Sequence, residues 1–254
     1  MIKFFRKIRQ DLLSEGKTGK YLKYAFGEVV LVVIGILIAL QINNWNQLKQ
    51  YKSELSSHLN TTLENITDDE IQLMELIEFR EKIAVTSKKI INAQINNENL
   101  DIRESMAAFT NVTLEKRFDR YRSGFDQLEK AQLYQSNDLK ELRELIAEYD
   151  KIIEEITFWE FRFNSFTEEM EKELYIEGFF QPLMPVFFNV KPSVENYEEL
   201  TNEEFRDLVE KYPSVSSIFF RVVVSSSHIL NKYKQLIEKG ESIKSTIKVH
   251  LSEL

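Results

Sequence analysis

Three histidines, His58, His228 and His250, are the natural metal ligands of this chain, and they are far apart in it. Glu54 and His58 stand one helical turn apart and could clasp a metal between them. Two ligands do not complete a site, so a solvent-facing pair is the expected arrangement. Carboxylates are abundant but sit at helix-surface spacing beside Lys and Arg, as in Glu168/Lys172, Lys140/Glu144 and Glu238/Lys239. That is the pattern of a solvated face. No carboxylate pair is marked for acid–base work. There is no Ser–His–Asp signature, glycine-rich loop or calcium loop. The stretch GKTGK at 16–20 superficially resembles a phosphate loop, but the Walker spacing is missing, no strand precedes it and an apolar span follows. The chain has no Cys, which excludes disulfides, thiolate metal sites, a catalytic thiol and an acylated lipoprotein anchor. The expectation is a protein that is not an enzyme and carries no metal or cofactor.

Aromatic side chains are the other candidates, with 18 Phe and 10 Tyr. Phe158, Trp159, Phe161, Phe163 and Phe166 wrap most of one predicted helix. They form either a pocket or partner surface, or bundle core shared with Phe179, Phe180, Phe187 and Phe188. The core reading is favoured.

The elements that position these residues begin with a membrane segment. Val29–Leu40 is twelve residues without a polar side chain, and Tyr24–Trp45 extends it to 22, roughly 33 Å of helix. Tyr24 and Trp45 fall where interfacial aromatics belong. Of 33 Lys/Arg and 41 Asp/Glu, residues 1–28 hold seven and three, a net of +4; the remaining 26 and 38 give −12. The basic flank predicts a cytoplasmic N-terminus and a translocated body, with the anchor uncleaved because no small-residue cleavage pattern follows Leu40. In the tail, Phe4, Phe5, Ile8, Leu12 and Leu13 share a helical face bordered by Lys3, Arg6, Lys7 and Arg9, as in a helix lying on an anionic leaflet. Gly27, Gly35 and Ala39 share a face of the span, and Gly35–Ala39 is a small-xxx-small step that permits close helix association. An acidic body repels phosphate backbones, so no nucleic-acid partner is expected.

The opening MIKFFRKIRQDLL…GKTGKYLKYAFGEVVLVVIGILIALQINNWN resembles a family of uncharacterised single-pass membrane proteins from Bacteroidetes, most closely over residues 1–46. A weaker likeness covers 125–149, FDQLEKAQLYQSNDLKELRELIAEY, where Lys130-Ala131-Gln132 stands in place of the family's small Ser-Gly pair. The resemblance implies a membrane anchor and a helical body, and no catalytic or binding residue.

Helical periodicity continues past the span through Leu48, Leu55, Leu59, Ile66, Leu73, Leu76/Ile77, Ile83 and Ile90. Thr67-Asp68-Asp69-Glu70 reads either as a capping box or as a turn of one continuous helix. Asn92–Asn99 predicts a loop. Ile102–Phe109 and Arg117–Leu133 read as helices, and Leu139 to about Glu177 as the clearest helix, ended by Gly178. Three prolines exclude a helix from Phe179–Pro192. Thr201–Glu204 caps a short helix to Tyr212, and a last long helix covers about Ser216–Leu251.

The expected fold is all-α: an N-terminal transmembrane helix continuing into an extracytoplasmic up-down bundle of long antiparallel helices, with an elongated coiled-coil dimer as runner-up. The expected division is a cytoplasmic tail at 1–23, a span at 24–45 and a bundle domain at 46–254. Chain parity places Phe179, Phe180, Phe187 and Phe188 at the distal tip, as a lid on the core or as a partner surface, the lid being favoured. The expected role is a non-enzymatic interaction or scaffold protein of the cell envelope, in the inner membrane with its domain in the periplasm. Its expected partners are the bilayer, an envelope protein and a second copy of itself. The alternative is a ligand-sensing bundle acting through a membrane partner.

Overall fold

The computed structural model describes residues 18–188 and 200–254. Helix α1, Thr18–Ile95, runs 78 residues, roughly 115 Å at 1.5 Å per residue. It contains no proline, and Thr67 turns its hydroxyl back to the Leu63 carbonyl at 2.8 Å instead of capping a new helix. Residues 67–70 are therefore one turn of a continuous helix. The helix closes in the Asn-rich stretch. Asn97 takes φ 54°, the Glu98 N–H donates to the Ala93 carbonyl (2.8 Å) and the Asn97 N–H to the Gln94 carbonyl (3.2 Å). This is a Schellman closure with Asn in the left-handed position.

The N-terminal part of α1 stands clear of the rest of the chain. None of its most apolar 18-residue window is buried, and it is long and apolar enough to cross a membrane. Burial begins at Leu55 and then falls in alternating steps of four and three: Leu59, Thr62, Ile66, Asp69, Leu73, Leu76, Arg80, Ile83, Ser87 and Ile90. The lysines and arginines of the tail, Lys3, Arg6, Lys7 and Arg9, lie outside the described residues.

Beyond α1 come α2 (Ile102–Thr113), α3 (Ser123–Leu128), a 3-10 turn at Asn137–Leu139, α4 (Lys140–Glu177), a second 3-10 turn at Gln181–Leu183, α5 (Met184–Phe188), α6 (Asn202–Lys211) and α7 (Pro213–Glu253). Helix is the only regular structure among the described residues, as expected for an all-α fold. Helix α7 packs along both α1 and α4 and runs antiparallel to each. Lys244 meets Glu70 at 2.6 Å, Lys234 meets Glu81 at 3.6 Å and Gln94 meets Ser216 at 3.0 Å. On the other side Lys232 meets Glu155 at 2.5 Å. Helices α1 and α4 are parallel, so residues 96–139 must return the chain, as parity requires. The end of α7 comes back to the base of the apolar stretch, with Leu251 and Leu254 beside Trp45 and Leu48.

Two local expectations are corrected. Arg117–Leu133 is not a helix: residues 114–122 are non-helical, and only Ser123–Leu128 is helical within it. Its backbone N–H groups go to side chains of α1 and α4, which removes the reason to form a helix. The proline-rich segment does hold short helices, because Pro182 and Pro185 sit in first turns, where no intrahelical N–H is needed. Residues 189–192 of that segment lie outside the described residues. Thr201 and Glu204 form the expected capping box, with Glu204 N–H donating to Thr201 Oγ1 at 3.2 Å and Thr201 N–H to Glu204 Oε2 at 2.9 Å.

Candidate functional site

The non-helical strap at 114–122 crosses the gap between α1 and α4, and four side chains accept its backbone N–H groups and those just beyond it. The Phe118 N–H donates to both oxygens of Glu160 at 3.1 Å. The Asp119 N–H donates to Gln72 Oε1 (2.7 Å), the Tyr121 N–H to Asp69 Oδ1 (2.8 Å) and the Gly124 N–H to Asn65 Oδ1 (2.6 Å). A buried N–H left unpaired costs as much as a lost hydrogen bond, so these acceptors fix the strap's path. Gly124 is required by proximity, since a Cβ there would lie 2.5 Å from the Thr62 backbone nitrogen.

Two polar layers cross the core behind the strap. In the first, Arg80 of α1, Glu160 of α4 and Tyr233 of α7 are all buried. Arg80 Nε donates to the Tyr233 hydroxyl at 2.8 Å, its Nη2 donates to the Lys116 carbonyl at 3.1 Å, and Glu160 lies 3.6 Å away. The Tyr233 hydroxyl donates in turn to Glu160. Burial pushes Glu160 above the usual carboxylate range, opposed by Tyr233, Arg80 and the Phe118 N–H. Burial also raises the Tyr233 phenol.

In the second layer the Tyr149 hydroxyl donates to Asp69 Oδ2 at 2.9 Å, and the Arg120 guanidinium lies 3.8 Å from the Phe125 ring centroid and pairs with Asp150. Burial pushes Asp69 up to about 6, despite its bonds to the Tyr121 N–H and Tyr149 and the nearby Arg120. A carboxyl raised in the folded state binds its proton more tightly there than when unfolded. Stability is therefore fullest below the unfolded pKa and falls as pH rises through about 6, by on the order of 2–3 kcal/mol. Asp69→Asn keeps an acceptor for the Tyr121 N–H. Its melting temperature should fall less steeply than that of wild type between pH 4 and 7.5. Parallel slopes for the two proteins would overturn this assignment.

The sequence-selected residues divide. His58 lies 3.7 Å from Glu54, His250 lies 3.8 Å from Glu253, and the His228 ring sits edge-on to Trp159 at 4.4 Å. The three histidines do not meet. Among the described residues, no three His, Asp or Glu side chains gather as metal ligands. Lys140 and Glu144 form the expected exposed pair at 3.7 Å.

Of the aromatic run, Phe163 is core, but Phe158 (53% exposed) and Phe161 (69%) face outward, which corrects the core reading for those two. Phe179 and Phe180 are buried, whereas Phe187 is 44% and Phe188 74% exposed. The neighbours of Phe179 are Phe109, Phe180 and Tyr212, at 6.4, 5.1 and 5.4 Å, rather than the run 158–166. A Cβ built at Gly27 or Gly35 meets nothing within 4 Å, so that face of the apolar stretch is open.

Residues 28–118 match a family of unknown function, DUF6090. The match takes in most of the apolar stretch, the body part of α1 with Asp69 and Arg80, all of α2 and the strap as far as Phe118. Tyr149, Glu160 and Tyr233, which complete the two layers, lie beyond it, as does the weaker likeness at 125–149. No curated protein and no solved structure is significantly similar to the chain.

Proposed function

We propose that the chain is a non-enzymatic, single-pass membrane protein of the cell envelope, related to the uncharacterised Bacteroidetes membrane family it resembles. Its helical body lies outside the cytoplasm and meets another envelope protein. The observation that carries the anchor is the exposed apolar stretch of α1, which the body does not cover. Exposed apolar surface costs ~25 cal/mol per Å² in water, so a stretch of this length calls for lipid around it. Continuity of α1 from span to body supports an uncleaved anchor. The positive-inside rule supports the orientation, with Lys3, Arg6, Lys7 and Arg9 held on the cytoplasmic leaflet. Phe187 and Phe188 at the distal end suit a partner surface, and the open Gly27, Gly35 and Ala39 face suits a second copy.

A reporter active only outside the cytoplasm, fused after Leu254, should give signal. Signal confined to a cytoplasm-active reporter would overturn the orientation.

One observation favours a ligand-sensing role as the second reading. A cleft of about 340 Å³ opens between the strap and α4, with Phe118, Glu160, Phe161, Asn164 and Thr167 on its walls. A ligand there would touch the residue that ties α4 to α1 and α7. A small molecule that raises the melting temperature would support sensing, and a single co-purifying envelope protein would support the interaction role.

A further inference from the structure

The junction of span and body holds a second open cleft, of about 560 Å³, between α1 and the end of α7. Trp45, Leu48, Lys49 and Lys52 line it from α1, Leu251 from α7, and Leu254 just past the end of α7. The expected span, residues 24–45, is roughly 33 Å of helix, enough to cross the hydrocarbon of a bilayer, and Trp45 ends it at the interface. On the membrane-anchored reading given above, the cleft opens just beyond the hydrocarbon, at headgroup level.

We infer that this cleft binds the headgroup of an anionic phospholipid from the adjacent leaflet. Its charged side chains are both lysines, although the chain beyond residue 28 is acidic by twelve charges. Among the described residues neither lysine is held in an ion pair, whereas Lys232, Lys234, Lys239 and Lys244 of α7 each meet a carboxylate on another helix. The Lys49 ammonium instead lies 5.9 Å from the centroid of the Trp45 ring. The nearby Glu54 is turned to His58 and Glu253 to His250. Apolar walls at Leu48 and Leu251 accompany the two ammonium groups. Such a cleft matches a phosphate above and the start of an acyl chain below. A basic pair at headgroup level favours an anionic lipid over a zwitterionic one.

The full chain in neutral detergent, offered phosphatidylglycerol or phosphatidylcholine, should retain phosphatidylglycerol in native mass spectra by on the order of tenfold over phosphatidylcholine. Lys49→Gln/Lys52→Gln should abolish that preference at an unchanged melting temperature. Glycerol 3-phosphate in solution should not compete. Equal retention of the two lipids, a preference that survives the double substitution, or full competition by glycerol 3-phosphate would each overturn the lipid site. Alkaline carbonate extraction separates the two claims. A chain that stays in the membrane yet shows no lipid preference overturns the cleft alone, and a chain that is released overturns the anchor as well.

Discussion

Arg80→Met should destabilise the body by about 3–5 kcal/mol, lowering its melting temperature by on the order of 10 °C. Arg80 is buried within reach of three elements at once: Glu160 on α4, Tyr233 on α7 and the Lys116 carbonyl of the strap. Its guanidinium also lies over the Phe163 ring at 5.5 Å and the Tyr233 ring at 5.6 Å. Methionine fills much of the volume but leaves the buried Glu160 carboxyl without the Arg80 cation, so it either holds an unmatched charge or takes up a proton. Breaking one side of such a pair costs far more than the pair is worth, because the remaining charge is neither solvated nor matched. Adding Glu160→Gln should therefore recover most of the loss. The glutamine amide keeps a carbonyl oxygen to accept from the Phe118 N–H and the Tyr233 hydroxyl, and it carries no charge. The deficit of Arg80→Met should also shrink at acid pH, since Glu160 already binds its proton tightly and would bind it more tightly without Arg80. Thermal unfolding of the full chain in detergent, followed by circular dichroism at two pH values, measures all three. An Arg80→Met protein that melts with wild type would show that the layer contributes nothing to stability.

The layer explains what the sequence concealed. The apolar period of α1 has gaps where Thr62, Asp69, Arg80 and Ser87 stand, and each gap is a buried position of the same four-and-three spacing. Glu160 fills the corresponding gap between Ile156 and Phe163, and Tyr233 the one between Ile229 and Leu236. Apolar residues alone were enough to place the three long helices and the direction in which each runs. The polar residues in the gaps looked like surface, because a charge at a core position is recognisable only when its partner on another helix is known. The same limit hid the strap. Phe118, Phe125 and Leu128 are spaced as a helix would space them. Yet the groups that hold the strap are Asn65, Asp69, Gln72 and Glu160, each more than 40 residues away in sequence. No local window registers an acceptor at that separation. Short-range signals did survive: the Thr201–Glu204 box, the stop at Gly178 with its φ of 83°, and the Asn-rich end of α1 are all local.

Phe179→Ala should cost about 3–5 kcal/mol, whereas Phe187→Ser with Phe188→Ser should change stability by less than about 1 kcal/mol. The contrast follows from how the chain leaves α4. Gly178 takes the left-handed conformation and the Phe179 N–H closes the helix on the Leu174 carbonyl at 3.0 Å, which turns Phe179 back over the open end of the bundle. There its ring is wholly buried among Phe109, Phe180 and Tyr212, and the Tyr212 hydroxyl donates to the Glu177 carbonyl at 3.1 Å, fastening α6 to the same corner. Removing the ring leaves a cavity walled by side chains from α2, α6 and α7, and three helices that meet at one point cannot all move in to fill it. Further along, Pro185 lies in the first turn of α5, Phe188 stands largely in water, and Phe187 is half-exposed with its ring 6.3 Å from that of Phe180. The segment is thus divided, with Phe179, Phe180 and Leu183 buried, Phe187 at the margin and Phe188 outside. Equal losses from the two sets of substitutions would mean that α5 is part of the lid. A Phe187→Ser/Phe188→Ser protein that melts with wild type but no longer retains an envelope protein that crosslinks to wild type would assign the outer pair to docking.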